Sequence, residues 1–205
     1  MPCLPLTKRG SGHKLLPSFK DIGAVILGID AAWTAREPSG VALIGEQNGR
    51  WHLVAVAASY GQFTADGGSL ARPQGSQADP STLVAACVAQ CGKRPDIVAI
   101  DMPLARSPIT KRRESDNAVS REYAGRGAGT HTPSSVRPGP ISDEVTSSFL
   151  DVGYLLLTRR IETPGLMETY PHPALIELTA QAKRLPTRRR RSAGIGPISP
   201  PLTGA

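Results

Sequence analysis

Ala24-Val25-Ile26-Leu27-Gly28-Ile29-Asp30 is an apolar, β-rich run that stops at a carboxylate. The pattern recurs twice. Ile97-Val98-Ala99-Ile100 ends at Asp101, and Leu166-Met167 leads into Glu168, just before Thr169-Tyr170-Pro171-His172-Pro173. A carboxylate at the end of a buried strand is costly to desolvate unless something pairs with it. If these strands neighbour one another, Asp30, Asp101 and Glu168 converge on one sheet edge. Converging carboxylates repel unless a proton or a hard cation lies between them, and Mg²⁺ or Mn²⁺ suits such oxygen ligands. Metal-assisted hydrolysis is the leading expectation.

The stretches between these runs complete a fold plan. Pro38-Ser39-Gly40 introduces a second strand, Val41-Ala42-Leu43-Ile44, and Glu46-Gln47-Asn48-Gly49 forms a turn in which Asn-Gly supplies positive φ. A third strand at about 50–58 closes an antiparallel meander. Residues 59–79 are rich in Gly, Ser and Gln and read as a loop. Asp79-Pro80 caps a helix that runs to Cys91 and stops at Gly92. Strand four, about 96–101, is apolar throughout, as in a parallel strand covered on both faces. Ser107-Pro108 opens a helix to Tyr123, and 124–141 is a Gly- and Pro-containing loop. A helix over about 142–161 follows, then strand five at about 166–170 and a last helix from Pro173. The expectation is α/β: a five-stranded mixed sheet, an antiparallel meander plus two parallel strands, flanked by helices. This order resembles the ribonuclease H-like plan.

Four motifs in order carry a resemblance to a known family. Gly28-Ile29-Asp30-Ala31-Ala32-Trp33, Ile100-Asp101-Met102-Pro103-Leu104, Arg113-x-x-Asp116 and Glu168-x-Tyr170-Pro171-His172-Pro173 look like the successive motifs of the domain of unknown function 429 family. That family is described as predicted ribonuclease H-like nucleases, and the resemblance covers roughly residues 24–186. It implies a metal-dependent nuclease that hydrolyses phosphodiester bonds of nucleic acid. Asp30, Asp101 and Glu168 are then the catalytic and metal-holding residues, with Mg²⁺ or Mn²⁺ as cofactor. One ion would lower the pKa of the attacking water and a second would steady the leaving oxygen.

The chain departs from this pattern late. Its last helix offers only Glu177 as a further acid, and Leu185-Pro186 is followed by Arg188-Arg189-Arg190-Arg191 and a Gly/Pro-rich stretch. Such composition cannot build a packed layer, and it reads as an altered or truncated C-terminus. The alternative to a nuclease is therefore a catalytically inactive ribonuclease H-like remnant or nucleic-acid-binding module. An actin-like or sugar-kinase-like ATPase is disfavoured, because Asp30-Ala31-Ala32-Trp33 has bulk where backbone amides must approach a phosphate.

Arg113, Asp116, Arg121 and His172 are the candidate substrate-binding residues. Arg113 and Asp116 form either a plain pair one helical turn apart or a phosphate-holding fork beside the acids. Arg121 and Arg126 either contact phosphates or stay solvated. His172, between two prolines, is either a general acid or ligand-orienting group, or a structural residue of a rigid turn. His131 has no constellation around it, and Trp33 reads as a packing lid over the strand end.

Bulk properties set the remaining bounds. The 205 residues suffice for one domain, divided as a flexible arm over 1–21, a folded domain over 22–186, and a disordered basic tail over 187–205. The net charge of +7 belongs to the ends, because residues 21–182 hold 14 basic and 17 acidic residues. A basic tail can hold a polyanion, which makes nucleic acid the expected partner. Aromatic residues are only 4%, so no base-stacking surface is advertised. Cys3, Cys87 and Cys91 form neither a disulfide framework nor a zinc pattern, which fits a reducing, cytoplasmic setting. No stretch is long and apolar enough to span a membrane, and no signal core stands apart from strand one.

Overall fold

A computed structural model describes residues 22–65 and 72–186, so the expected arm and basic tail lie outside the described residues. The meander forms as its turn chemistry requires. Strands β1 (Val25–Asp30), β2 (Gly40–Gln47) and β3 (Arg50–Ala57) pair antiparallel in sequence. Asn48 and Gly49 take φ of 55° and 74° at the β2–β3 turn, the left-handed values that Asn and Gly tolerate best. A short helix, α1 (Tyr60–Thr64), occupies part of the expected loop, with Ser59 Oγ accepting from the Gln62 amide at 3.3 Å. Its Tyr60 and Phe63 are buried, which composition alone did not reveal.

Helix α2 (Pro80–Cys91) has the expected limits. Asp79 accepts from the Ser81 and Thr82 amides at 3.1 and 3.3 Å, and Gly92 closes the helix at φ 76°. Strand β4 (Ile97–Ile100) follows. Helix α3 (Glu114–Tyr123) begins later than Ser107-Pro108 suggests, because Asp116 turns back to accept from the Arg113 amide at 3.0 Å and sets the helix start there. A 3₁₀ turn at Ala124–Arg126 precedes helix α4 (Pro140–Asp151).

Helix α4 is shorter than its apolar periodicity predicts, and the difference adds a strand. Gly153 adopts φ 93° and ends the helical path. Tyr154 then turns into the core, fully buried, with its hydroxyl donating to the Pro95 carbonyl at 2.9 Å. Leu155–Leu157 become β5, parallel to β6 (Gly165–Glu168), and α5 (Pro171–Leu178) completes the described chain. The sheet therefore has six strands rather than five, in the order β3-β2-β1-β4-β6-β5. It is a mixed sheet in an α/β fold, as expected at that coarser level.

The core lies on one face of the sheet. Leu27, Leu43, Val98 and Leu166 are fully buried there with Leu83, Cys87 and Phe149 from the helices. Each such side chain contributes about 1.5–3 kcal/mol of burial. The alternate residues Ile26, Ile44, Leu53, Val56 and Met167 stand on the other face and lie outside the core cluster. Leu53 is 61% and Val56 69% exposed, so this face is open at β3, whereas on the parallel strand β4, expected to be covered on both faces, Ile97 on the same face is buried. Cys87 and Cys91 are buried free thiols, and burial pushes Cys87 up to about 12. No described helix is long and apolar enough to cross a membrane.

Candidate functional site

The central parallel pair brings two acids together. Strands β1 and β4 run in register, Ile29 beside Ile100, and the Asp101 amide donates to the Ile29 carbonyl at 2.8 Å. Side chains alternate along a strand, so Asp30 and Asp101 leave the sheet on the same face, opposite buried Ile29 and Ile100. Buried Ser39 accepts from the Ala32 amide at 3.0 Å and fixes the turn that follows Asp30. Burial first, then the charges of Asp30 and Glu168, push the Asp101 carboxyl up to about 6, against an opposing pull from Arg184.

Glu168 belongs to the same edge but points elsewhere. It pairs in register with Ile100, not with Asp101, so it is one residue out of phase and leaves from the other side of the sheet. There its Oε2 accepts from the Leu104 amide at 2.9 Å and from Arg113 Nη1 at 2.7 Å. Its Oε1 accepts from Arg113 Nη2 at 2.6 Å. Arg113 also donates from Nε and Nη2 to Asp116 at 3.0 and 2.8 Å, and from Nη1 to the Leu104 carbonyl at 3.1 Å. Every N–H of the guanidinium is thus engaged. Burial works against the charge on Arg113, but the hydrogen bonds of Glu168 and Asp116 prevail and raise its pKa. Burial likewise raises Asp116, yet the bonds from Arg113 outweigh it and hold that carboxyl below its ordinary range. The pair is therefore neither an isolated helix-surface pair nor an open phosphate fork.

A cleft of about 420 Å³ opens above these residues. Asp30, Asp101 and Glu168 line it together with Arg137, Arg184 and His172. Trp33 lies at its side, with His131 edge-on at 6.1 Å and the Arg137 guanidinium 5.7 Å over the ring. His131, which has no partners in sequence, is carried there by Arg112. That side chain donates to the Thr130 carbonyl at 3.3 Å and to the Thr130 and Thr132 hydroxyls at 3.0 and 2.9 Å, on both sides of His131.

The remaining candidates separate. His172 lines the cleft, its Nδ1 buried without a hydrogen-bond partner. Burial and then the Arg184 charge hold its pKa below the ordinary histidine value, against Asp30. Arg121 is exposed on α3 and does not line the cleft. Arg126 is a structural clamp: it donates to Glu177 at 2.5 Å and to the Gln181 and Ala182 carbonyls at 2.8 and 3.2 Å. Its own carbonyl accepts from the Arg184 amide at 2.8 Å, and Arg184 also lines the cleft. Sequence reading missed Arg184 because the residue borders the arginine run, and missed Arg137 because it sits in an irregular loop.

Asp30 and Asp101, brought side by side by the register of β1 and β4, are the two carboxylates that could hold one hard cation. Two adjacent carboxylates, completed by water and substrate oxygens, are a common arrangement for Mg²⁺. Among the described residues no group of three His, Cys, Asp or Glu side chains is arranged to hold a metal ion. The three-carboxylate set expected from strand ends is reduced to Asp30 and Asp101, because Arg113 takes both oxygens of Glu168. Comparisons of the chain with family models, curated proteins and solved structures find no match.

Proposed function

We propose that the protein is a metal-dependent phosphodiesterase acting on nucleic acid, with Asp30 and Asp101 as the residues that hold Mg²⁺ or Mn²⁺. The observation that carries this reading is the side-by-side placement of the two carboxylates at the end of the parallel pair. The strand order, with the acids on adjacent β1 and β4 beside an antiparallel meander, is compatible with a ribonuclease H-like plan. When bound, the cation supplies positive charge against phosphate oxygens and lowers the pKa of a coordinated water. The chain's own residues provide the rest. Arg137 and Arg184 line the same cleft as the acids, and guanidinium groups suit phosphate oxygens. His172, held below its ordinary pKa, is neutral near pH 7 and can accept a proton. Buried free thiols fit a reducing compartment, which supports the cytoplasm as the location.

The test is cleavage of single-stranded and duplex DNA and RNA with Mg²⁺, Mn²⁺ or EDTA. Activity that needs the cation and disappears in Asp30→Asn and Asp101→Asn supports the reading. Cleavage that persists in EDTA or in both variants contradicts it. A second reading, a binding module without catalysis, is favoured by the engagement of Glu168 with Arg113. It predicts nucleic-acid retention that depends on Arg137 and Arg184 with no cleavage under any cation.

A further inference from the structure

We propose that Arg113 is the fixed cation of this carboxylate cluster, so that the site takes one divalent ion, on Asp30 and Asp101, and Glu168 acts as a positioning residue that ligates none. This rests on the cation reading above and differs from a two-ion site built on three acids.

Three observations support it. The first is saturation: Arg113 has no free N–H, and it meets Glu168 through two parallel bonds of 2.7 and 2.6 Å. Such forked pairs are strong and geometrically specific. The second is anchorage. The Arg113 backbone amide and its Nε both donate to Asp116 Oδ2 at 3.0 Å, and Asp116 is only 4% exposed. A guanidinium that swung away to admit an ion at Glu168 would strand a buried carboxylate, which is strongly destabilising. The third is phase, since Glu168 projects from the opposite side of the sheet to Asp30 and Asp101.

Charge follows the same division. Arg113 neutralises one of the two carboxylates it holds, while Asp30 and Asp101 together match a single divalent ion. The Leu104 amide donates to Glu168 and the Leu104 carbonyl accepts from Arg113, and these bonds also fix the chain just after Asp101. Glu168 thus sets where Asp101 stands without touching the ion.

The experiment counts Mn²⁺ on the full chain without nucleic acid, by calorimetry and by loss of the free-ion paramagnetic signal. Wild type is expected to take one Mn²⁺ per chain. Glu168→Gln is expected to keep one ion within about threefold of wild-type affinity, whereas Asp101→Asn weakens binding by about tenfold or more. Two ions on wild type would overturn this inference and leave the cation reading intact, whereas none would overturn both. Parallel melts in EDTA show whether each variant folds. A Glu168→Gln protein that melts like wild type yet loses Mn²⁺ as Asp101→Asn does would make Glu168 a ligand and end the proposal. The wild-type count needs no variant, so a Glu168→Gln chain that fails to fold leaves the test decisive.

Discussion

Asp30 and Asp101 stand at the ends of neighbouring parallel strands, on the same face of the sheet and at the same level. Burial and this juxtaposition push Asp101 up to about 6, whereas an unfolded aspartate titrates near ~3.9. Between those values the folded chain keeps a proton that the unfolded chain has lost. Its contribution to stability is therefore present at low pH and fades as pH rises through the folded value. Asp101→Asn removes that dependence. In EDTA the variant should melt no higher than wild type at about pH 4 and higher at about pH 7–8. Differential scanning calorimetry across this range checks it. A variant that melts lower at every pH would make Asp101 a structural cap.

The Arg113 network should be expensive to break and cheap to remove whole. Arg113→Met leaves Asp116 and Glu168 without their cation, and loss of one partner of a buried pair costs about 3–5 kcal/mol. Adding Asp116→Asn and Glu168→Gln should recover a large part of that loss. Urea denaturation of the single and triple variants measures both. A single-variant cost below about 1 kcal/mol would mean the bridge behaves as a surface pair.

Arg112 sets the cleft wall through the segment that carries His131. Besides Thr130 and Thr132, it donates to the Asp116 carbonyl at 3.0 Å and to Ser120 Oγ at 2.5 Å. Arg112→Ala should lose about 1–3 kcal/mol, the cost of leaving part-buried acceptors unpaired. It should also loosen His131 from the Trp33 ring. In a Trp51→Phe background, Trp33 emission should shift to the red. An unchanged spectrum in a destabilised variant would separate the clamp from the cleft.

The two faces of the sheet should respond differently to the same chemistry. Leu43 is fully buried, and Leu43→Ala should cost about 2–5 kcal/mol. Leu53 is mostly exposed on the other face, and Leu53→Ala should stay within about 0.5 kcal/mol of wild type. Chemical denaturation of both variants is the check. A large loss at Leu53 would show that this face is covered in solution.

The sheet was largely legible because strands and caps announce themselves locally. Asn48-Gly49, Asp79-Pro80 and Gly92 mark turns and helix ends by backbone chemistry that needs no distant partner. What failed did so where local preference met a tertiary demand. Leu155–Leu157 continue the apolar periodicity of α4, yet Gly153 breaks the helix and Tyr154 is drawn into the core, so they pair with β6. Residues 59–65 look like loop by composition, but burial of Tyr60 and Phe63 holds a short helix there.

The site divides in the same way. That Asp30, Asp101 and Glu168 end apolar strands is written in the chain itself, because hydrophobic runs and their polar stops are contiguous. Their mutual orientation is not. A one-residue difference in register sends Glu168 to the opposite side from Asp101, and register is set only when β4 and β6 pair. Arg113 lies 55 residues from Glu168 in the chain, and Arg137, Arg184 and His131 reach the cleft from separate segments. Which donor satisfies which carboxylate depends on distances of a few ångströms across the folded molecule, and those distances exist only after the strands have chosen their neighbours.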